Sequence, residues 1–485
     1  MITRRDFGIG LGASTLAALA MPAFAQNTPR RLAMPPLLDT TTSGRFALNA
    51  QAAKVNFLGQ SDSDTWGFNQ PYLGPTLRVA HKGEVQAEVT NTLREDISVH
   101  WHGLLIPGEV DGGPHNPVAP GATWNPVLPI DQPTATLWYH SHIHGRTAAH
   151  VSNGLAGVLQ LSDGQDDTRG LPSTYGVDDL TLVLQDRRFD RSGRMNYNPG
   201  RQEQMMGFIG DTMVVNGQVN PVAAVPKGIV RLRLLNGSNA RIYVLSMADG
   251  RPMHLIAGDN GLLDQPQVVT QLALASGERA EVLVDFSSGA GTTLVSRSNP
   301  NRGMMGGMMG GGGQSSGSFP VLPFEVNTTL AARIDVLPGK LGGTLANVDL
   351  AGARRRNITL DMGMGMGMMV RSVFGGSAFS INGESYDMSK LNFTIKRGST
   401  EIWRVRGAMM MHPFHVHGVK FQVLSENGGP VSPRNRGWKD MVLVNGEAEI
   451  AMRFDHAASP SFPYMFHCHI LEHEDGGMMG QFAVV

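Results

Sequence analysis

A threefold repeat constrains this chain more than any other feature. Thr76-Leu77-Arg78-Val79-Ala80 leads through His81-Lys82-Gly83 into Glu84-Val85-Gln86-Ala87-Glu88-Val89-Thr90-Asn91. Residues 222–226 lead through Lys227-Gly228 into Ile229-Val230-Arg231-Leu232-Arg233-Leu234-Leu235-Asn236. Phe393-Thr394-Ile395 leads through Lys396-Arg397-Gly398 into Thr400-Glu401-Ile402-Trp403-Arg404-Val405. Each copy reads as a strand, a basic–glycine turn and a second strand of period-two alternation. The turn glycines stand 145 and 170 residues apart, which is domain-sized. With 60 Gly among 485 residues and short alternating runs between turn signals, the chain is expected to be all-β, folded as three β-sandwich domains.

The expected boundaries are 26–165, 175–325 and 350–485, joined through the polar stretches 162–179 and 320–356. Residues 1–25 read as a targeting segment. Arg4-Arg5-Asp6-Phe7 precedes a short apolar run, and Ala23-Phe24-Ala25 supplies small residues for cleavage, the pattern of a twin-arginine signal. Export to a bacterial periplasm is the expectation. The apolar run is too short for a comfortable membrane span, and no later one follows, so no membrane insertion is expected. A formal net charge of −1 gives no reason to expect a nucleic acid or an acidic membrane surface as partner.

The repeat also organises the histidines. Seventeen residues beyond Gly83 stands His100, opening His100-Trp101-His102-Gly103. Seventeen beyond Gly398 stands His415, opening His415-Val416-His417-Gly418. The same step from Gly228 reaches Leu245, so the middle domain reads as a spacer without metal ligands. Two further pairs are His140-Ser141-His142 and His467-Cys468-His469. Side chains at i and i+2 of a strand share a face, so each pair aims two imidazoles the same way. Imidazole suits copper, and eight such rings are enough for three ions with positions left open for oxygen. Cys468 is the only cysteine, so it forms no intrachain disulfide. With His412, His473 and a thioether from Met478 it makes the donor set of a blue-copper electron-transfer site. Its neighbours His467 and His469 point the other way and need a second centre, back to back with the first. His81, His150, His254 and His456 read as ordinary histidines, and His115 and His144 as supporting or solvated ones.

The four histidine motifs, together with the run 103–113 and His473-Glu474-Asp475-Gly476-Gly477-Met478, resemble the multicopper oxidase family. The closer resemblance is to its CueO-type periplasmic copper-efflux oxidases, which are bacterial and laccase-like. It implies three cupredoxin-like Greek-key sandwiches, four copper ions and O2 as acceptor. By position it implies a type 1 copper on His412, Cys468, His473 and Met478. It implies a type 2 copper on His100 and His415, and a type 3 pair on His102, His140, His142, His417, His467 and His469. One-electron donors are expected to deliver at the His473 edge. Cys468 would pass electrons through the backbone to His467 and His469, and four electrons reduce O2 to two waters. Asp111 and Glu474 match acids expected to supply protons. A monomer is expected by resemblance alone.

The donor is less constrained. Thioethers favour Cu(I), and the chain has 27 Met. Met304, Met305, Met308 and Met309 lie in one Met–Gly run. Asp361, Met362, Met364 and Met366 lie in another, and Met410 lies close to His412. These are candidate contacts for cuprous ion as substrate, which points to a role in copper tolerance. Met410 matches a substrate-copper position of the CueO type, but Ala408 stands where that type carries an acid. The alternatives are a laccase-like oxidase of phenols and other small organic donors, or a non-enzymatic copper-binding or electron-transfer protein. Some relatives of the resembled family have lost their ligands and act in cell division or assembly. Here every ligand position is filled.

Overall fold

The computed structural model describes residues 30–297, 317–344, 347–363 and 378–485. The leader 1–25 and Met304, Met305, Met308, Met309, Met364 and Met366 lie outside the described residues. Among the described residues the fold is β throughout, with short α-helices at Thr147–Asn153, Arg201–Met206 and Leu471–Asp475.

Three apolar cores divide the strands, as three cupredoxin-like sandwiches require. The first lies between a four-stranded sheet that includes Thr76–Ala80 and Ala135–His140 and a five-stranded sheet that includes Arg45–Val55 and Lys82–Asn91. The second lies between a seven-stranded and a six-stranded sheet, with Ile229–Asn236 and Arg279–Asp285 paired at the centre of the former. The third is built on an eight-stranded sheet in which Thr400–Val416 pairs with Met441–Arg453 and Tyr464–Cys468.

The repeated turns are present in all three units. In Lys82–Asn91 the alternation is literal: Val85, Ala87 and Val89 are buried, whereas Glu84, Gln86 and Glu88 face water. In Ile229–Asn236 both faces are buried. Arg231 and Arg233 turn toward the first unit, where Arg233 Nη1 donates to Thr136 Oγ1 and pairs with Glu281 at 3.1 Å. The period of two survives there, but its polar face lies against a neighbouring unit.

Strand Arg30–Arg31 runs parallel to Pro221–Lys227, which ties the start of the described chain to the middle unit. The strand Ser318–Ala331 belongs to the same sheet. No helix among the described residues is long and apolar enough to cross a membrane.

Candidate metal centres

Register brings the histidine motifs together. His415 pairs directly with His467 and Phe414 with Cys468 in the third unit, and His100 bridges to His140 in the first. Leu245, at the matching step of the middle unit, is a fully buried core residue. All ten histidines of the proposed set are at most 1% exposed, and Cys468 and Met478 are wholly buried.

The donors fall into compact groups. His102, His140 and His469 form one triad, and His142, His417 and His467 a second. His100 and His415 meet at 3.4 Å between their Nε2 atoms. His412, Cys468 and His473 form a separate group, with the two Nδ1 atoms 3.4 and 3.7 Å from Sγ. Each His-x-His pair on one face therefore splits between two groups, so the cluster is stitched from both units. Met478 is buried in the core that holds Cys468, and its carbonyl accepts from the Cys468 amide at 3.1 Å.

The outward nitrogens fix which atom each ring offers. A carbonyl can only accept, so a ring nitrogen facing one must carry the proton. His100, His140, His415 and His467 donate from Nδ1 to the carbonyls of Asp111, Ser141, Asp440 and Cys468 at 3.0, 2.9, 2.8 and 3.1 Å, which leaves Nε2 free. His417 donates from Nδ1 to Asp111 Oδ2 at 2.7 Å. The Ser276 hydroxyl donates to the Ser238 carbonyl and so accepts from His469 Nδ1, leaving the buried Nε2 of His469 without a partner. His473 is reversed: its Nε2 donates to the Met205 carbonyl at 3.0 Å, and Nδ1 faces the sulfur.

Burial, and then crowding by neighbouring rings, holds His102, His140, His415, His417 and His469 well below the ordinary histidine value. For His142 burial outweighs the opposing Glu474. His473 is held down to about 3 by burial and by His412. Neutral imidazole is the ligating form. Burial pushes the Cys468 thiol up, so a metal would have to draw out the thiolate.

The sequence carries the family's signature three times. Profiles of the multicopper oxidase family match residues 49–166, 177–304 and 357–485. The chain belongs to the multicopper oxidase family. Among solved structures it is similar to the bacterial laccase-like multicopper oxidase CueO of Ochrobactrum sp., which has oxidase activity towards lignin model compounds and lignosulfonate. That likeness has a TM-score of 0.86 and 39% identity, over 94% of this chain and 100% of that one. The multicopper oxidase McoA of Aquifex aeolicus follows at TM-score 0.81 and 31% identity, over 94% of this chain and 99% of that one. Curated relatives include the cell division protein FtsP of Yersinia pestis, 38% identical over 490 residues, covering 100% of this chain and 98% of that one. FtsP of Escherichia coli K12 is 38% identical over 487 residues, covering 100% and 99%.

The family implies copper, and the donor set fits it: buried ring nitrogens converge in the cluster, and a buried sulfur lies between two imidazoles. Around them stand the acids expected from the sequence. Asp111 touches His417 and lies 3.3 Å from His100 Nδ1, while its Oδ1 has no partner. Glu474 lies 3.1 Å from His467 Nδ1 and 3.4 Å from His142 Nδ1. Burial opposes its ionisation, but His142 and His467 outweigh it and hold the carboxyl down to about 2.

The His473 ring, at which donors are expected to deliver, lies beneath a neighbouring segment. The ring is fully buried, stacked on Phe379 at 4.5 Å, and its Nε2 is spent on Met205 in the helix Arg201–Met206. Glu472 holds that segment down: it accepts from Tyr197 Oη, the Phe208 amide and Asn239 Nδ2 at 2.9, 3.0 and 2.8 Å. Met205, Met362 and Met410 are partly buried against the Cys468 core. Asp361 accepts from the Gly383 amide at 3.1 Å.

Among the described residues, these donor groups draw no residue from the middle unit. It does supply Ser276, Gly277, Asn260 and Arg279 around the rings. These, with Asp440, were not identified from the sequence, because no motif or spacing marks them. His150 was read as ordinary, yet it links Ser141 Oγ at 2.7 Å to Glu95 at 3.3 Å behind the His140–His142 pair. His115 pairs with Gln481, and His144 packs on Tyr386.

Proposed function

We propose that this chain is an active multicopper oxidase that couples one-electron oxidation of cuprous ion to the four-electron reduction of O2, and that it serves copper tolerance. The observation that carries the reading is the paired arrangement of buried donors: His100, His415 and His473 each donate from one ring nitrogen to a carbonyl, which turns the other nitrogen into its group. In this reading His412, Cys468, His473 and Met478 hold a type 1 copper, His100 and His415 a type 2 copper, and the two triads a type 3 pair. Bound copper supplies the redox chemistry: one-electron uptake at the Cys468 site and reduction of O2 at the cluster.

The chain's own residues do the rest. Cys468 and His467 are consecutive, and His469 follows, so the backbone itself links the two centres. Asp111 offers a buried oxygen without a partner beside the rings, positioned to pass protons to oxygen, and the ionised Glu474 beside His142 and His467 is positioned to relay them. The partly buried Met205, Met362 and Met410 present soft contacts over the Cys468 core, which supports Cu(I) as donor over a phenol. The closed His473 edge supports the same choice. The export reading places this work in the periplasm after twin-arginine transport. Arg4→Lys with Arg5→Lys is expected to leave the protein in the cytoplasm on fractionation.

The test is oxygen uptake by the copper-loaded protein with Cu(I), Fe(II) and a phenol. The reading expects Cu(I) to turn over fastest, and Met205→Leu, Met362→Leu and Met410→Leu to raise its KM. A second reading is favoured by the FtsP relatives, which match over their whole length: a role in cell division that needs no turnover. Absence of oxygen uptake with every donor, with Cys468→Ser fully supporting division in a deletion strain, would decide for it.

A further inference from the structure

The histidine cluster is braced by two aspartates in matching ways. Asp111 accepts from His100 Nδ1 through its carbonyl at 3.0 Å and from His417 Nδ1 through Oδ2 at 2.7 Å. Asp440 accepts from His415 Nδ1 through its carbonyl at 2.8 Å, and its Oδ1 faces His102 Nε2 at 3.2 Å. The rings pair to match. His100 stacks on His417 with centroids 3.8 Å apart, and His102 on His415 at 3.7 Å. Each aspartate therefore supports one stacked pair drawn from the first and third units.

Two differences break the correspondence. Asp440 holds Nε2 of its second ring instead of Nδ1, so His102 turns Nδ1 toward His140, at 3.4 Å from that ring's Nε2. Asp440 is also gripped by a cation, which Asp111 lacks among the described residues. Arg279 Nη1 donates to Asp440 Oδ1 at 2.7 Å and Nη2 donates to Oδ2.

Arg279 is itself immobilised. Its five N–H groups have five acceptors: the carbonyls of Thr136, Gly277 and Asp259 and the two Asp440 oxygens. These come from all three units. Gly103 leaves the space this needs, because a Cβ there would lie 2.6 Å from Asp440 Oδ2 and 2.7 Å from Arg279 Nη2. A guanidinium fork so fixed sets the carboxylate plane, and the carboxylate in turn admits only a protonated nitrogen opposite Oδ1.

We propose that Arg279 and Asp440 are a positioning pair that holds His102 in the tautomer protonated at Nε2, so that this one ring of the two triads offers Nδ1 to its metal. The inference rests on the copper reading above for its consequence, but its cause is present in the metal-free protein. The test uses Arg279→Met, Arg279→Lys and Asp440→Asn in the full chain. In metal-free, 15N-histidine-labelled protein, the His102 resonances, assigned with His102→Gln, report the tautomer directly. Wild type is expected to carry the proton on Nε2, and Arg279→Met and Asp440→Asn to shift it wholly or partly to Nδ1. Arg279→Lys keeps the charge without the fork and is expected to fall between.

After copper loading, both disruptive variants are expected to retain the blue thiolate band, which also reports a folded third unit. They are expected to lose the near-ultraviolet band of a coupled copper pair and to gain uncoupled Cu(II) in the electron paramagnetic resonance spectrum. An unchanged His102 tautomer in folded Asp440→Asn and Arg279→Lys would overturn the proposal, whether or not Arg279→Met folds. A wild type that binds no copper would instead overturn the proposed function, and the tautomer would still decide this inference.

Discussion

At the residue scale the centre is a division of labour among acids. Asp440 has both oxygens engaged by Arg279, whereas Asp111 keeps one oxygen without a partner within reach of the cluster. Asp111→Asn is therefore expected to keep the blue colour and the copper content but to slow oxygen reduction by about 10²-fold or more, the scale of a lost general acid. Single-turnover reoxidation of the reduced protein checks this, and unchanged reoxidation with copper bound would remove the proton role. Cys468→Ser should abolish the blue colour and donor oxidation while cluster copper remains on metal analysis. Gly277 has φ +83°, and a Cβ there would lie 2.9 Å from the His469 ring. Gly277→Ala is expected to destabilise by roughly 1–3 kcal/mol through backbone strain alone and to lower cluster copper content. The donors themselves were legible in the sequence because each sits in a short motif. Arg279 and Asp440 were not, because they meet each other across 161 positions and reach His102 across 338, with no pattern at either end.

At the element scale, the alternation of strands foretold the back-to-back arrangement of Cys468 against its neighbours, and the pairing of Thr400–Val416 with Tyr464–Cys468 supplies it. The register also bulges between Gly407 and His412, with Met409 at φ +75° and 41% exposed, which puts the Met409-Met410-Met411 run outside the regular ladder. No periodicity announces a bulge. The helix Arg201–Met206 was equally hidden: at six residues it is too short to show a helical pattern, yet it closes the His473 edge. Replacing 201–206 by a Gly–Ser linker is expected to speed oxidation of phenols while leaving the blue band in place. Stopped-flow reduction of the Cys468 site by a phenol measures it, and no gain in rate would mean that the helix does not limit access.

At the scale of the whole molecule, the three units are joined by buried charge as well as by apolar surface. Arg231, Arg233, Glu281 and Asp179 form a network where the middle unit meets Thr136 of the first. Burial raises the Glu281 carboxyl, but Arg231 and Arg233 outweigh it and hold it down to about 2. Its folded value lies below its ordinary one. Its contribution to stability is therefore present above about pH 4.5 and is lost as pH falls toward 2. Acid unfolding followed by circular dichroism should show that loss. Glu281→Gln should flatten it while costing roughly 3–5 kcal/mol at neutral pH, because two buried cations lose a partner. The fold class and the threefold plan were readable from the repeat, whereas the buried polar faces between units were not, since they look solvent-facing in any single strand.

The central claim is that the two buried donor groups work as one oxidase. It is tested most directly by the ratio of Cu(I) oxidised to O2 consumed by the copper-loaded protein. The account predicts four Cu(I) per O2 with no peroxide released, and loss of both consumptions in Cys468→Ser. Peroxide accumulation at two Cu(I) per O2, or an undiminished rate in Cys468→Ser, would contradict it.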